Sequence, residues 1–397
     1  MSQNKYLHVL YHNIPVGTLA MAQSRLVAFE YTEDWLKNGF SISPFSLPLR
    51  KEVFLPSKYY FQGLWGVFAD SLPDAWGRLL LERLLKAQGK NPDLLTVLDR
   101  LAIVGTSGMG ALTYEPEEEW AATPDYLDLD DLAYQCKKIL NTEYSDKLDE
   151  LFSLGGTSGG ARPKILTEIN NEPWIIKFPA SPDGENAGFM EYEYYLCAKE
   201  CGISMSESLL FPSQKCKGYF GTRRFDRQKK ENDYQRIHVL TAAALLELDF
   251  TQPSLDYHGL MKLTSILTGN NEQDMENMFR RMCFNVFAHN RDDHSKNFSY
   301  LYEEASNSWC LAPAYDLTYS NTYYGEHTTT VDGNGRNPGM KELLAGWSAA
   351  GGKGFFGGGN CRRYKTEPVQ IHCRGYPGLC KPQPRSLPVI KKRGLSR

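Results

Sequence analysis

The sequence predicts an α+β fold with a small N-terminal subdomain, a strand-rich lobe and a mainly helical C-terminal lobe. Three observations predict it. Segments alternating apolar and polar residues, the mark of half-buried strands, cluster in the first part of the chain, up to Asp233. Apolar residues at helical spacing dominate after it. Between two strand patterns lies a glycine-rich turn, "GGTSGGARPK", at residues 155–164.

In chain order, "YLHVLYHNIPVGTLA" and "RLVAFEYTEDWL" read as a small antiparallel sheet. "LWGVFADSLPDAWGRLLLERLLKAQG" reads as a helix start followed by a leucine-rich helix, and "LAIVGTSGMGALTYEP" as a strand and glycine turn. These make residues 1–115 one α+β module. The acidic stretch "EPEEEWAATPDYLDLDD" leads into a helix ending near Leu151, so 116–150 are linker and helix. A glycine-loop lobe spans 151–235: the glycine turn, a hairpin turning at Asn170–Asn171, a strand carrying Lys177, the helix "EYEYYLCAKECGI" stopping at Gly202, and the strand "KGYFGTRRFDR". A helical lobe spans 236–345 through "RIHVLTAAALLELDF", "YHGLMKLTSILTG" and "QDMENMFRRMCFNVFAHN", with a short strand pair in "NFSYLYEEASNSWCLAPAYDLTYS".

At 397 residues the chain is long enough for two or three cores, and 42% hydrophobic with 23% charged residues is ordinary for a globular protein. No apolar run approaches membrane-spanning length and the first residues lack the parts of a signal peptide, so a cytoplasmic protein without a membrane association is expected. The nine cysteines show no C-x-x-C spacing and read as scattered thiols rather than a disulfide or zinc framework. The net charge of −3 conceals an asymmetry: 11 of the 44 basic residues but one of the 47 acidic ones lie after residue 345, leaving −13 on residues 1–345. A body so charged is not a general nucleic-acid binder.

Four features carry candidate chemistry. The glycine turn is neither a Walker A loop, which from Gly156 would need glycine at 161 and lysine at 162 where the chain has Ala161 and Arg162, nor G-x-G-x-x-G. Gly155, Gly156, Gly159 and Gly160 with Thr157 and Ser158 could still turn backbone N–H groups toward phosphate oxygens, although as a lone feature the segment reads as an ordinary flexible turn. Lys177 in "PWIIKFPA" is a lone ammonium in an apolar strand; it either snorkels from an edge or, beside the glycine loop, meets phosphates with Glu191 or Glu193 as partner. "NRDDHSKN" sets Asp292 and Asn297 five apart, and "APAYDL" adds Asp316. One carboxylate could act as base, while the carboxamide and second carboxylate are hard oxygen donors suited to magnesium. In isolation this stretch is also a plausible hydrated turn capped by its own side chains. The order of parts is that of a kinase, but H-R-D and D-F-G are absent, so it is not an ordinary eukaryotic-type kinase sequence.

From Lys5 to Leu344 the sequence resembles the HipA family of bacterial serine/threonine kinase toxins. "NRDDHSKNFS" with "APAYDL" is close to that family's N-x-D-x-H-x-K-N-F-S and Y-D-L segments, supported by "DSLPDAWGR", "GTSGMGAL", "GGARPK", "WIIKFP", "EYEYYLCAKECGI" and "RRFDR". The resemblance implies a HipA-like kinase fold, dependence on ATP and Mg²⁺, a protein substrate (aminoacyl-tRNA synthetases among them), and a small DNA-binding antitoxin, HipB-like, through which operator DNA is met. It implies Asp292 as catalytic base, Asn297 and Asp316 as magnesium ligands, Lys177 on the phosphates, His294 beside the catalytic aspartate and Phe225 at the adenine hinge. Two residues before that phenylalanine the family often has an acidic or other polar residue; here it is Arg223. Members can phosphorylate a serine of their own glycine loop, and the match leaves Ser153, Thr157 and Ser158 as candidates. A phosphate there would add about −2 charge where ATP phosphates bind.

Two other classes stay open: a catalytically inactive kinase fold that binds antitoxin and DNA as a regulator, and a metal-dependent hydrolase built on Asp292, Asp293 and His294, which leaves the glycine loop and Lys177 without roles. From residue 346 the Gly-, Pro- and Arg-rich tail departs from the family pattern; it reads as a disordered or out-of-frame segment, with a basic nucleic-acid tail as the competing idea.

Overall fold

The alternating segments at the start of the chain pair into an antiparallel sheet: β1 (Tyr6–Tyr11), β2 (Ile14–Met21), β3 (Val27–Tyr31), β4 (Val53–Phe54) and β5 (Leu112–Glu115), in the order β4-β3-β2-β1-β5. His12 and Asn13, both at positive φ, make the two-residue turn between β1 and β2. These coordinates are a computed structural model, which describes residues 4–23, 25–118, 127–180, 184–231, 233–322 and 324–349. The chain divides into two units: one made of residues up to Tyr192, Ser206–Gln252 and Ser295–Pro313, the other of Glu193–Met205, Pro253–His294 and the chain from Ala314 on.

In the first unit the sheet is followed by helices α1 (Glu33–Asn38), α2 (Gly66–Ala69), α3 (Ala75–Ala87) and α4 (Val97–Val104), then α5 (Leu129–Leu140) and α6 (Leu148–Gly155). A second antiparallel sheet contains β6 (Lys164–Ile169), β7 (Glu172–Lys177), β8 (Ser208–Phe211) and β9 (Tyr219–Arg223), in the order β6-β7-β9-β8. β10 (Arg227–Lys230) pairs with β11 (Asp233–Arg236), and β12 (Val239–Thr241) joins β13 (Ser299–Glu303) and β14 (Ser308–Leu311) in a three-stranded sheet. The apolar face of α3, with Trp76, Leu80, Leu81, Leu84 and Leu85, packs in one core with Leu132, Cys136 and Ile139 of α5, Leu151 and Phe152 of α6, and Ile165, Trp174 and Ile176 of β6 and β7. At about 1.5–3 kcal/mol per buried large side chain, the α3 contribution is roughly 10 kcal/mol before entropy. Sharing this core makes the N-terminal module the support of the glycine-loop lobe.

In the second unit α9 (Tyr257–Leu267) and α10 (Glu272–Phe287) pack with α11 (Met340–Ala349), and Phe279 meets Trp347 at 4.9 Å between ring centroids. The end of α7 (Ala187–Glu200) contributes Tyr194 and Ala198, which pack with Phe284, Ala288, Ala314 and Leu317.

Several local expectations change. "LAIV" is the end of α4, not a strand: Thr96 and Asp99 form a reciprocal capping box that starts this helix. The helix expected to end near Leu151 is two, and the second runs on to Gly155, so Ser153 is helical rather than in the glycine loop. "RIHVLTAAALLELDF" is mostly not helix. Its first part pairs as β12 with β13, and only Ala242–Leu245 (α8) is helical, capped by Thr241. Tertiary pairing there outweighs alanine and leucine propensity. The atypical tail does not begin at residue 346: Gly346 and Trp347 are buried residues of α11. Residues 350–397, and with them most of that expectation, lie outside the described residues, as do 181–183 of the loop before α7.

Candidate active site

The glycine loop begins where α6 ends and finishes at Lys164, the first residue of β6. Its backbone is bound on several sides. The Ser158 N–H and hydroxyl both donate to the Gly155 carbonyl, at 3.1 and 2.7 Å. Lys164 Nζ donates to the Gly159 carbonyl at 2.5 Å. Gly160, at φ +87°, gives its N–H to Asp74 Oδ2 at 2.7 Å and takes the Trp76 N–H on its carbonyl at 3.3 Å. The helix that meets the loop is α3, and the approach is close: a Cβ on Gly77 would lie 2.4 Å from the Gly156 carbonyl oxygen. Thr157 reaches the other turn of the N-terminal module, its hydroxyl donating to the Ser107 carbonyl at 3.3 Å in an exposed contact.

Lys177 ends β7 and stands opposite Lys164 across the β6–β7 pair, a register that sends both side chains to one face. Its Nζ donates to Glu191 Oε1 at 2.5 Å, both side chains are nearly buried (12 and 6% exposed), and the ring of Phe220 lies 5.6 Å away. Of the two glutamates in question, Glu191 is the partner. An ion pair taken so far from water is costly to hold unless its geometry is good.

Phe225 is half-buried in the turn after β9, next to Asp226, which is fully buried. Asp226 accepts from Arg224 Nη2 at 2.7 Å, Arg227 Nη1 at 2.6 Å and the Gly110 N–H at 2.8 Å. Burial would raise its carboxyl; the flanking guanidinium groups of Arg224 and Arg227 overcome that and hold it well below the usual carboxylate range. Arg236 adds bonds to the Gly108 and Gly110 carbonyls at 2.9 and 2.8 Å, so three arginines fix the turn that Thr157 touches. Arg223 is spent elsewhere, on Glu172 and Glu207 at 3.2 and 3.0 Å. Asn297 also belongs to this unit, closing the single 3-10 turn Ser295–Asn297.

In the second unit the chain leaves α10 through His289, at positive φ, into "NRDDH". Asp292 and Asp293 separate completely. Asp293 is fully buried and accepts from the Tyr257 hydroxyl, His327 Nδ1 and the Thr329 N–H at 3.0, 3.0 and 3.1 Å. Asp292 is 60% exposed, and His294 Nε2 stands 3.9 Å from its Oδ1, outside hydrogen-bond range. The loop is also held from its other neighbour, since the Arg291 carbonyl accepts from the Thr328 N–H and hydroxyl, each at 3.0 Å. From Tyr257 a buried chain continues through Asn285 and Asn290 to the carbonyl of Asp316, which itself sits at φ +53°. One network within this unit thus holds Asp293, the sequence neighbour of Asp292, and the backbone carbonyl of Asp316.

The hydrolase reading loses its third ligand here, because both Asp293 oxygens point into protein donors. Among the described residues no three His, Cys, Asp or Glu side chains converge as a metal site. Asp316 and Asn297 remain chemically apt for magnesium, a hard cation that accepts one or two protein oxygens and completes its shell with phosphate and water. Sequence reasoning gave no role to Asp74, Lys164, Asp226 or His327, and it gave Asp293 only a metal-ligand role in the hydrolase reading. "DSLPDAWGR" and "GGARPK" were visible as motifs, but their partners lie far away in sequence.

Two HipA descriptions match the chain: the HipA N-terminal domain over residues 7–115 and the HipA-like C-terminal domain over 156–354. The complex of HipA, HipB and operator DNA from Shewanella oneidensis MR-1 contains a chain of the same fold, with a TM-score of 0.65 at 18% identity, over 87% of this chain and 84% of that one. The sequence is also 24% identical over 349 residues to a protein of Sinorhizobium fredii described as putative kinase Y4dM, covering 82% of this chain and 80% of the relative. The fold is therefore a HipA-type kinase fold, of the α+β class with a strand-rich N-terminal part. The chain belongs to the HipA family.

Proposed function

We propose that the protein is an ATP- and Mg²⁺-dependent serine/threonine protein kinase and the toxin of a type II toxin–antitoxin pair. The observation that carries this reading is the buried Lys177–Glu191 pair at the end of the glycine loop. A strand lysine held by a helix glutamate is the part of a kinase that presents an ammonium to nucleotide phosphates. The exposed Asp292, on a loop fixed by its two neighbours, has the access a general base needs. In the proposed transfer the acceptor hydroxyl oxygen bonds the γ-phosphorus, the bond to the β–γ bridging oxygen breaks, ADP leaves, and the hydroxyl proton passes to Asp292. Asn297 and Asp316 would hold Mg²⁺, which supplies neutralisation of phosphate charge.

The candidate acceptor hydroxyls in the chain itself differ in access. Ser158 is 1% exposed and bonded to Gly155, and Ser153 donates to the Glu150 carbonyl at 2.8 Å inside α6. Thr157, with its exposed contact, is the favoured site of self-phosphorylation. Full-length protein given γ-labelled ATP and Mg²⁺ is expected to take up label on Thr157, and Asp292→Ala is expected to lower incorporation by at least about a thousandfold. A chain that arrives unmodified, by intact mass, and still takes up no label would favour the inactive regulator instead.

The Shewanella protein's complex with HipB and DNA supports a small DNA-binding antitoxin as partner, and the net −13 on residues 1–345 supports meeting operator DNA through it. The protein substrate, an aminoacyl-tRNA synthetase or another, is the proposal's family-level element.

A further inference from the structure

We propose that Asp74 of the N-terminal module, together with Lys296, is a positioning residue for the glycine loop, so that the module forms part of the phosphate-binding machinery. The inference rests on the kinase reading above for its functional consequence, but not for its geometry.

Asp74 occupies the position just before α3 where an aspartate ordinarily caps its own helix, accepting from an N–H of the first turn. Here its side chain makes no such bond. The carboxylate turns outward instead: Oδ2 accepts the Gly160 N–H at 2.7 Å, and Lys296 Nζ stands 2.6 and 2.8 Å from its two oxygens. The backbone of the same helix start completes the grip, with the Trp76 N–H on the Gly160 carbonyl and the Asp74 N–H on the Ser158 carbonyl at 3.4 Å. Both backbone groups of Gly160 are therefore taken by the start of α3. With φ at +87°, that residue sets the course of the loop, and its N–H is the one a rotated peptide would lose.

Lys296 makes the carboxylate fit this task. It lies four residues beyond Asp292, adjacent to Asn297, with its ammonium 5.0 Å from the Phe250 ring centre. Asp74 and Lys296 side chains are about one-fifth exposed, so the ion pair works in a partly dry environment where its charge-assisted bonds are strong. Burial alone would raise the Asp74 carboxyl, and the Lys296 ammonium overrides it, keeping the side chain an acceptor. One carboxylate thereby links the glycine-loop amide to the segment that carries Asn297.

Hydrogen exchange on the nucleotide-free full chain tests the geometry directly. Asp74→Ala is expected to speed exchange of the Gly160 amide by at least about tenfold, with little change elsewhere, because a hydrogen-bonded amide becomes open. Asp74→Asn, which keeps an acceptor oxygen but not the charge, is expected to restore part of the protection, and serves as well if the alanine variant folds poorly. Unchanged Gly160 exchange in both variants would overturn the proposal. Steady-state kinetics then separate positioning from chemistry: for Asp74→Asn the KM for ATP is expected to rise about tenfold with kcat within about threefold. A fall in kcat at constant KM would also overturn it. A wild-type chain that binds no ATP would sink the kinase reading, while the exchange result would still decide the role of Asp74.

Discussion

Asp292 and Asp293 are adjacent in sequence and opposite in fate, one open to solvent and one holding three donors in the interior. Their chemical type could not distinguish them; the partners Tyr257, His327 and Thr329 do. A second carboxyl shows how burial alone sets a property. Glu247 accepts the Gly66 N–H at 3.1 Å and the Ser46 hydroxyl at 2.9 Å, and desolvation, aided by the nearby Asp70 charge, pushes it up to about 7. A carboxyl raised in the folded state binds more protons there than in the unfolded chain. It therefore contributes less stability as pH climbs from about 4.5 toward 7. Glu247→Gln, which keeps an acceptor for both donors, is expected to stabilise the protein by roughly 2–3 kcal/mol at pH 8 and by almost nothing at pH 4. Urea unfolding across that range would show it; a constant difference at every pH would contradict the assignment.

At the scale of elements, α3 has the clearest double duty. Its leucine-rich body was legible in the sequence, but the residue at which it starts was not singled out there. That its first turn presses on the glycine loop was not legible, since the loop lies about eighty residues on. Gly77 records the contact. In a free helix Gly→Ala would gain about 1 kcal/mol, but here the new Cβ would meet the Gly156 carbonyl oxygen at 2.4 Å. Gly77→Ala is therefore expected to lose about 1–3 kcal/mol by overpacking, read as a lower urea midpoint, and to weaken ATP binding. A more stable variant would mean that α3 and the loop part easily. β12 makes the complementary point: "RIHVLT" followed by alanines invites a helix, yet pairing with β13 and the bonds from Thr241 to Asp70, at 2.7 and 2.9 Å, hold it extended.

Over the whole molecule, charge is the property best read without coordinates. With −13 before residue 346 and 11 basic residues against one acidic after it, the body repels a polyanion that the tail attracts. The protein alone is expected to shift operator DNA only at low salt, and that shift is expected to vanish when residues 350–397 are removed. With the proposed antitoxin present, retention is expected to survive about 150 mM salt. A mobility-shift series would check both, and tight salt-resistant binding by the protein alone would contradict the division of labour.

The sequence by itself determined the family, the α+β class, the hairpin turn at Asn170–Asn171, the main helices of the second unit and the chemical types of the candidate residues. These rest on local periodicity and on short motifs, which need no knowledge of distant neighbours. Only the tertiary structure decided that Glu191 rather than Glu193 meets Lys177, that Thr157 is half-buried where Ser158 is fully buried, that Asp293 is a buried anchor, and that Asp74 holds Gly160. Each of these depends on which group loses its water and which donor replaces it. That choice is made by contacts across tens to hundreds of residues, where a one-dimensional pattern carries no distance.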